Sequence, residues 1–298
     1  MNLFNKLVSE ALRTKSELAP LQTVVEKELL HHEILLALSR EGLLHGLTFI
    51  GGTCLRACYG ANRLSEDLDF TGGVEFSRES LVDLGKVLTH DMKNKYDLPV
   101  TVTEPKRARE GNVDTWKVKI HTRTDTRMMP IQRINIDICA VTSYDRHPAM
   151  LLHDYGVDLG TSGLILQVES REEILADKMI ALALRPNRLK NRDLWDIVWL
   201  KQRGIALPTE LIKKKLMDRD IAPSIFVEAL HTRLDDLYRP QSPARFIQEL
   251  RRFLTPKVVA ETLENKDFWK YMVRVIHEEA QLTIQAVEKQ REPGSNSR

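Results

Sequence analysis

Residues 49–70 read FIGGTCLRACYGANRLSEDLDF, and the parsing of this stretch decides the fold. It divides into a short apolar strand over 47–50, a turn at Gly51-Gly52, a helix opening at Thr53, a second turn near Gly60, and a strand carrying Asp67, Leu68, Asp69 and Phe70. Side chains alternate across a strand, so Leu68 and Phe70 can face a core while Asp67 and Asp69 share the other face. Two carboxylates about 4 Å apart at an effective dielectric of about 20 repel by roughly 4 kcal/mol. A divalent cation reverses that sign, and Mg²⁺ is commonly held by one or two carboxylates together with substrate phosphates. At the other end of the stretch, Gly51 and Gly52 let backbone N–H groups approach a phosphate beside the partial positive charge of a helix N-terminus.

Taken singly, neither part is decisive. Gly-Gly is an ordinary turn signal, and Asp-x-Asp alone also describes a solvated strand edge. Their order carries the argument. A Gly-Gly-Thr turn, a helix and an Asp-x-Asp strand in one short βαβ-like unit form the arrangement that a nucleoside triphosphate with Mg²⁺ requires.

The segment resembles the first motif of the DNA polymerase β-like nucleotidyltransferase superfamily. Its longer pattern, GGT-x-LR-x-x-YG-x-x-R-x-SEDLDF, is similar to the AbiEii/AbiGii toxin family. The resemblance implies that Gly51, Gly52 and Thr53 hold a triphosphate and that Asp67 and Asp69 bind Mg²⁺. It also places Arg56, Arg63 and Ser65 among the nucleotide-binding residues. Weaker similarity extends to about residue 200, and the last third carries no matching motif.

With 298 residues the chain can bury about three quarters of its unfolded surface, enough for one large domain or two modest ones. Hydrophobic residues at 42% and charged residues at 29% exclude a disordered or fibrous chain. A net charge of +2 gives no global signature of nucleic-acid binding, so any such site must come from local basic clusters. Cys54, Cys58 and Cys139 cannot pair completely and fit the reduced thiols of a cytosolic protein; no second ligand pair matches Cys54 and Cys58 for a zinc site. No apolar run is long enough to span a bilayer, and MNLFNKLVSEALRTK lacks the apolar core of a signal peptide. The expectation is a soluble, cytoplasmic protein with no membrane partner.

Helical spacing of Val24, Val25, Leu29 and Leu36 predicts a helix over 21–40, with His31 and His32 at its surface or in its packing. Ser77 is the expected N-cap of a helix running towards Tyr96. Alternation predicts strands over 100–103, 116–120 and 134–139. The polar face of the last centres on Asp137, and pattern alone leaves open whether this is a third acid beside Asp67 and Asp69 or an ordinary half-exposed strand. The resemblance implies a further metal ligand, or a group that helps activate the acceptor hydroxyl. Lys106, Arg107, Arg109, Arg123, Arg127 and Arg133 form a basic region, either solvated loops or a hold on a nucleic-acid backbone.

From Ser170 the pattern turns helical, opening on a Ser170/Glu173 capping box. Ile174, Leu175, Met179 and Leu182 form an apolar stripe that also contains Lys178. A lysine there needs an anionic partner, so it either snorkels or faces a phosphate. In RLKNRDLWDIVWL, Asp193 and Asp196 are helical neighbours that either cap a solvated helix start or join a site. The resemblance matches Lys178 and Arg192-Asp193 to family motifs and implies active-site roles for Lys178 and Asp193, leaving Asp196 open. Further helix starts are expected at Thr209, Ser242-Pro243, Thr255-Pro256 and Asn265.

The expected fold is α+β: a mixed β-sheet nucleotidyltransferase core with an N-terminal helix over 1–165, a mostly helical C-terminal domain over 166–290 closing the active-site cleft, and a disordered tail over 291–298. The expected function is that of an Mg²⁺-dependent nucleotidyltransferase, the toxin of a bacterial toxin–antitoxin or phage-defence pair with a cognate antitoxin. It would transfer NMP from an NTP to an acceptor, foremost the 3′ end of tRNA. A protein hydroxyl acceptor and a non-catalytic nucleotide-binding regulator are the alternatives. The catalytic set is Asp67, Asp69, Asp137, Lys178 and Asp193, with metal on Asp67, Asp69 and Asp137. Position also suggests a switch, in which phosphorylation of Ser65 on the face of Asp67 adds like charge beside the metal.

Overall fold

Asn2 opens the structure: its Oδ1 accepts from the Asn5 N–H at 2.8 Å and caps α1 (Leu3–Thr14). A 3₁₀ turn, Ser16–Leu21, leads into α2 (Gln22–Arg40). The computed structural model describes residues 2–106, 111–122, 131–186 and 188–289. Arg107, Arg109, Arg123 and Arg127 of the basic region, and the tail from 291, lie outside the described residues.

Helix α2 is buried on every side rather than along one stripe. Leu29, Leu30, Ile34 and Leu35 are fully buried, and so nearly are Glu26, Glu28, Glu33, His31 and His32. Buried acids are tolerated only with partners, and each has one. Glu26 accepts from Gln132 Nε2 at 2.7 Å, Glu28 from the Ser65 N–H at 2.8 Å, and Glu33 from Lys95 Nζ at 2.8 Å and Tyr96 Oη at 2.5 Å.

The chain up to Glu169, together with Phe253–Thr255, forms one compact unit. It contains β1 (Thr48–Ile50), α3 (Gly51–Tyr59), β2 (Leu68–Thr71), α4 (Leu84–Tyr96), β3 (Val100–Thr103), β4 (Val113–Ile120), β5 (Gln132–Cys139), β6 (Arg146–Met150) and β7 (Ile165–Glu169). The seven strands form one mixed sheet in the order β3-β4-β5-β2-β1-β7-β6, parallel at β2/β5 and β1/β7 and antiparallel elsewhere. Trp116, Val118, Ile120, Ile134, Ile136, Ile138, Leu68 and Phe70 are buried on one face, where α2 packs on β5 and α4 on β3. Fully burying one such isoleucine stabilises by about 1.5–3 kcal/mol.

Two local expectations need correction, and one strand carried no signal in the sequence. Helix α3 starts at Gly51, not Thr53, because Gly51 turns the chain with φ +75° directly out of β1. Ser77 precedes a 3₁₀ turn, Arg78–Leu81, and α4 begins only after Asp83. Strand β6 reads RHPAM, with Pro148 in an edge strand and no apolar alternation, so no period-2 signal marked it.

The second unit, Ser170–Arg252 with the chain from Pro256, is helical among its described residues. It holds α5 (Arg171–Leu184), α6 (Asn191–Gln202), α7 (Thr209–Met217), α8 (Pro223–Leu237), α9 (Ser242–Leu250), α10 (Pro256–Glu261) and α11 (Phe268–Glu288). Ser170 Oγ accepts from the Glu173 N–H at 3.1 Å, as the capping box requires. Helix α5 packs on α6, α7 and α8, and Lys215, 1% exposed, meets Glu173 and Asp177 at 2.7 Å each. The caps of α9 differ from expectation: Ser242 is already helical, and its Oγ donates to the Asp236 carbonyl at 2.6 Å. No helix among the described residues is long and apolar enough to cross a membrane.

Burial pushes His31 down to about 3, partly offset by its bond to the Glu66 carbonyl; burial, with His153 nearby, pushes His32 down to about 4. Both rings are neutral in the fold and take a proton more readily in the unfolded chain, near 6.5. The stability they support is therefore complete above pH 6.5 and is lost as pH falls towards 4. A His31→Gln/His32→Gln variant should flatten this loss, on the order of 3 kcal/mol for His32 alone, in urea unfolding measured between pH 7 and about 4.

Candidate active site

Backbone register brings three acids to one sheet face. Asp69 of β2 lies opposite Asp137 of β5, and Asp137 lies opposite Thr115 of β4. Neighbouring strands are about 4.8 Å apart and directly opposed residues share a face. Asp67 stands one step ahead of β2 at the alternate position, and its Oδ1 accepts from the Asn135 N–H at 3.1 Å. Thr115 Oγ1 donates to Asp137 Oδ1 at 2.6 Å. All three acids are half-buried, while Leu68, Phe70, Ile136 and Ile138 between and beside them are buried on the other face.

The two glycines serve different neighbours. A Cβ on Gly51 would come within 2.9 Å of Asp69 Oδ2, so the absence of a side chain lets the carboxylate lie against the turn. A Cβ on Gly52 would fall 2.1 Å from one terminal nitrogen of Arg63, whose guanidinium is packed under the turn and donates to the Leu64 carbonyl at 3.1 Å. Arg63 is 3% exposed.

Of the other residues expected at the nucleotide, the structure commits their side chains to contacts within the protein. The Thr53 hydroxyl bonds the Asp67 carbonyl and lies 2.7 Å from Ser65 Oγ. Arg56 reaches Glu28 at 3.1 Å, Asp154 at 2.9 Å and the Ala61 carbonyl at 3.1 Å. Ser65 is 5% exposed and lies before the strand, with its N–H on Glu28. That burial removes the ground for a phosphorylation switch at Ser65.

Sequence reasoning missed the support from α2. Glu28 gathers Ser65, Arg56 and the Tyr155 hydroxyl, Lys27 pairs with Glu66 at 2.8 Å, and His31 Nε2 meets the Glu66 carbonyl at 3.0 Å. One helix turn thus fixes residues 65–66, immediately ahead of Asp67. The only trace in the sequence is acid and histidine at positions that helical spacing places among leucines.

In the second unit, Lys178 finds its anionic partners on α6. Its Nζ lies 2.5 Å from Asp193 and 2.9 Å from Asp196, and Arg185 reaches Asp193 at 2.9 Å. Both acids are buried. Burial pushes the Asp193 carboxyl up, but the Lys178 ammonium, with Lys190 and Arg185, outweighs it and holds the group well below the usual carboxylate range. Lys178 is therefore neither snorkelling nor unpaired, and Asp196 shares its ammonium with Asp193.

Carboxylate oxygens on one face, with a side-chain-free turn against Asp69, suit a hard divalent cation, which commonly takes one or two carboxylates and fills its shell with water and phosphate. Among the described residues no three His, Cys, Asp or Glu side chains close around a single point. Asp67 and Asp137 are each turned to a neighbouring donor, so register supplies the acids without drawing them together.

The family model described as nucleotidyl transferase AbiEii toxin, type IV TA system, matches residues 33–274. No curated protein matches the chain. Among solved structures, the nucleotidyltransferase toxin MenT4 from Mycobacterium tuberculosis is 16% identical with a TM-score of 0.56, covering 95% of each chain. JHP933 from Helicobacter pylori is 19% identical with a TM-score of 0.43, covering 89% of this chain and 95% of its own. The first likeness shows the shared α+β fold.

Two substitutions test the local reading. Gly52→Ala should lower stability by about 1–3 kcal/mol in thermal unfolding, because the added methyl group displaces the buried Arg63 guanidinium from its place beneath the turn. Lys178→Ala leaves two buried carboxylates without their shared ammonium and should cost about 3–5 kcal/mol in urea unfolding.

Proposed function

This chain belongs to the AbiEii family of nucleotidyltransferase toxins, and from that premise we propose an Mg²⁺-dependent enzyme of the bacterial cytoplasm that transfers a nucleoside monophosphate from an NTP to the 3′ end of tRNA. As a type IV toxin it has an antitoxin counterpart, and its donor is a nucleoside triphosphate. The observation that carries the chemical reading is the register of Asp69 opposite Asp137, with Asp67 on the same face and Gly51 against Asp69.

Asp67 and Asp69 would hold the cation, with Asp137 beside them. The cation would neutralise phosphate charge and polarise the reacting phosphoryl group. The turn at Gly51-Gly52 offers backbone N–H groups to the outer phosphates at the start of α3. Asp137, oriented by Thr115, accepts the proton of the attacking hydroxyl. The new bond forms between that oxygen and the α-phosphorus, while the bond to the pyrophosphate oxygen breaks and pyrophosphate leaves. Thr53, Arg63, Ser65 and Arg56 serve this step by bracing the segment that delivers Asp67 and Asp69. Lys178 and Asp193 stay in the proposed set on the family pattern, and Asp196 joins them because it shares the Lys178 ammonium. Most of the rate then comes from positioning and preorganised electrostatics.

Incubating the protein with total bacterial RNA, Mg²⁺ and each labelled NTP in turn should place label in the tRNA band. Asp67→Asn and Asp69→Asn should each cut that label by about a hundredfold or more. Label on polypeptide instead of RNA would replace the acceptor with a protein hydroxyl. NTP binding without any transfer would leave a nucleotide-binding regulator.

A further inference from the structure

We propose that the sheet face bearing the three acids continues into a track for the sugar-phosphate backbone of the acceptor, built by Lys117, Lys119 and Arg133. The proposal rests on the active-site reading above and deepens it by assigning the surface that the acceptor strand occupies.

Register carries the argument. On the face that holds Asp69, Asp137 and Thr115, the next row pairs Asn135 with Lys117, and Asn135 is the residue whose N–H meets Asp67. The row after that pairs Arg133 with Lys119. Directly opposed residues share a face, and residues two apart on one strand share it as well. Three cations therefore follow the acids in two consecutive rows of the same surface, Lys117 in the first and Lys119 with Arg133 in the second, each row about 6.8 Å beyond the last. That stride is comparable to the spacing of phosphates along an extended nucleic-acid strand. The first cation stands one row from Thr115 and Asp137.

The opposite face of these strands is core: Trp116, Val118, Ile120, Ile134 and Ile136 are buried. Lys117, Lys119 and Arg133 are exposed, and no carboxylate among the described residues pairs with them. Lys27, Arg56, Arg78 and Lys95 of the same unit are, by contrast, engaged in ion pairs. A solvated strand has no need for three unmatched cations on the side that leads to an acidic centre. A polyanion ending at that centre does need them, because they hold its backbone without reading its bases. A single-stranded RNA end is the occupant whose charge spacing matches. Its terminal hydroxyl would meet the acids while its upstream phosphates lie over the cations.

Counterion release gives the test a number. Each single-strand phosphate contact contributes about −0.7 to the slope of log K against log salt, so losing three should make the slope shallower by about 2. The full-length protein would be titrated with a fluorescent single-stranded RNA oligonucleotide between about 50 and 200 mM salt. The Lys117→Gln/Lys119→Gln/Arg133→Gln variant should show that change, together with a KM for acceptor raised about tenfold or more and unaltered NTP affinity. A charge-matched Lys86→Gln/Lys93→Gln/Lys270→Gln control should keep the wild-type slope. A wild-type slope in the track variant, or an equal loss in the control, overturns the proposal. So does loss of binding to a poly-glutamate probe with RNA binding intact, which would assign the face to an acidic protein. Asp67→Asn distinguishes the two levels. If it retains transfer, the active-site reading falls; if it is inert while the track variant binds RNA normally, only the track falls.

Discussion

Two like charges, Asp69 and Asp137, face one another across neighbouring parallel strands, and the first unit is arranged so that this unfavourable placement persists. The force that imposes it lies on the other side of the sheet. Leu68, Phe70, Ile136 and Ile138 are buried there, and the register that buries them also sets the acids side by side. A slip of one residue would relieve the repulsion only by turning the acids into the core and the apolar side chains outwards. The hydrophobic gain of several buried side chains outweighs one screened carboxylate pair. Local donors reduce the rest of the cost: Thr115 for Asp137 and the Asn135 N–H for Asp67.

Helix α2 provides the second layer of support, and it does so through polar groups that a simple core would exclude. Glu28 alone gathers a backbone N–H, a guanidinium and a phenol, fixing the segment that enters β2. Buried networks of this kind are costly when incomplete and rigid when satisfied. Rigidity is what a catalytic carboxylate needs from the residues behind it, since small displacements at the reacting centre are expensive.

Aspartate is used in opposite ways in the two units. In the first, Asp67, Asp69 and Asp137 are half-buried on one sheet face, where Asp67 and Asp137 accept from the Asn135 N–H and the Thr115 hydroxyl. In the second, Asp193 and Asp196 are buried and matched by Lys178 and Arg185. Such pairs add little net stability over an apolar contact, but removing one partner is costly, so they fix how α5 meets α6. The family pattern flagged Asp193 along with the sheet acids and left Asp196 open; the surroundings of the two groups separate them.

The sequence by itself determined the order of elements around 49–70, the strands whose alternation is regular, the helix opening at Ser170, and the shared face of Asp67 and Asp69. These follow from interactions a few residues apart: side-chain period, turn residues and caps. Only the tertiary structure decided that α2 is a buried polar hub, that Arg63 lies beneath Gly52, that Lys178 is paired, and that Asp137 stands opposite Asp69. Each of these joins positions distant along the chain, such as Glu28 with Ser65 or Lys178 with Asp193 across two helices. Local pattern gives the face on which a side chain points. What it meets there is fixed by strand register and helix packing, which depend on the whole core settling at once.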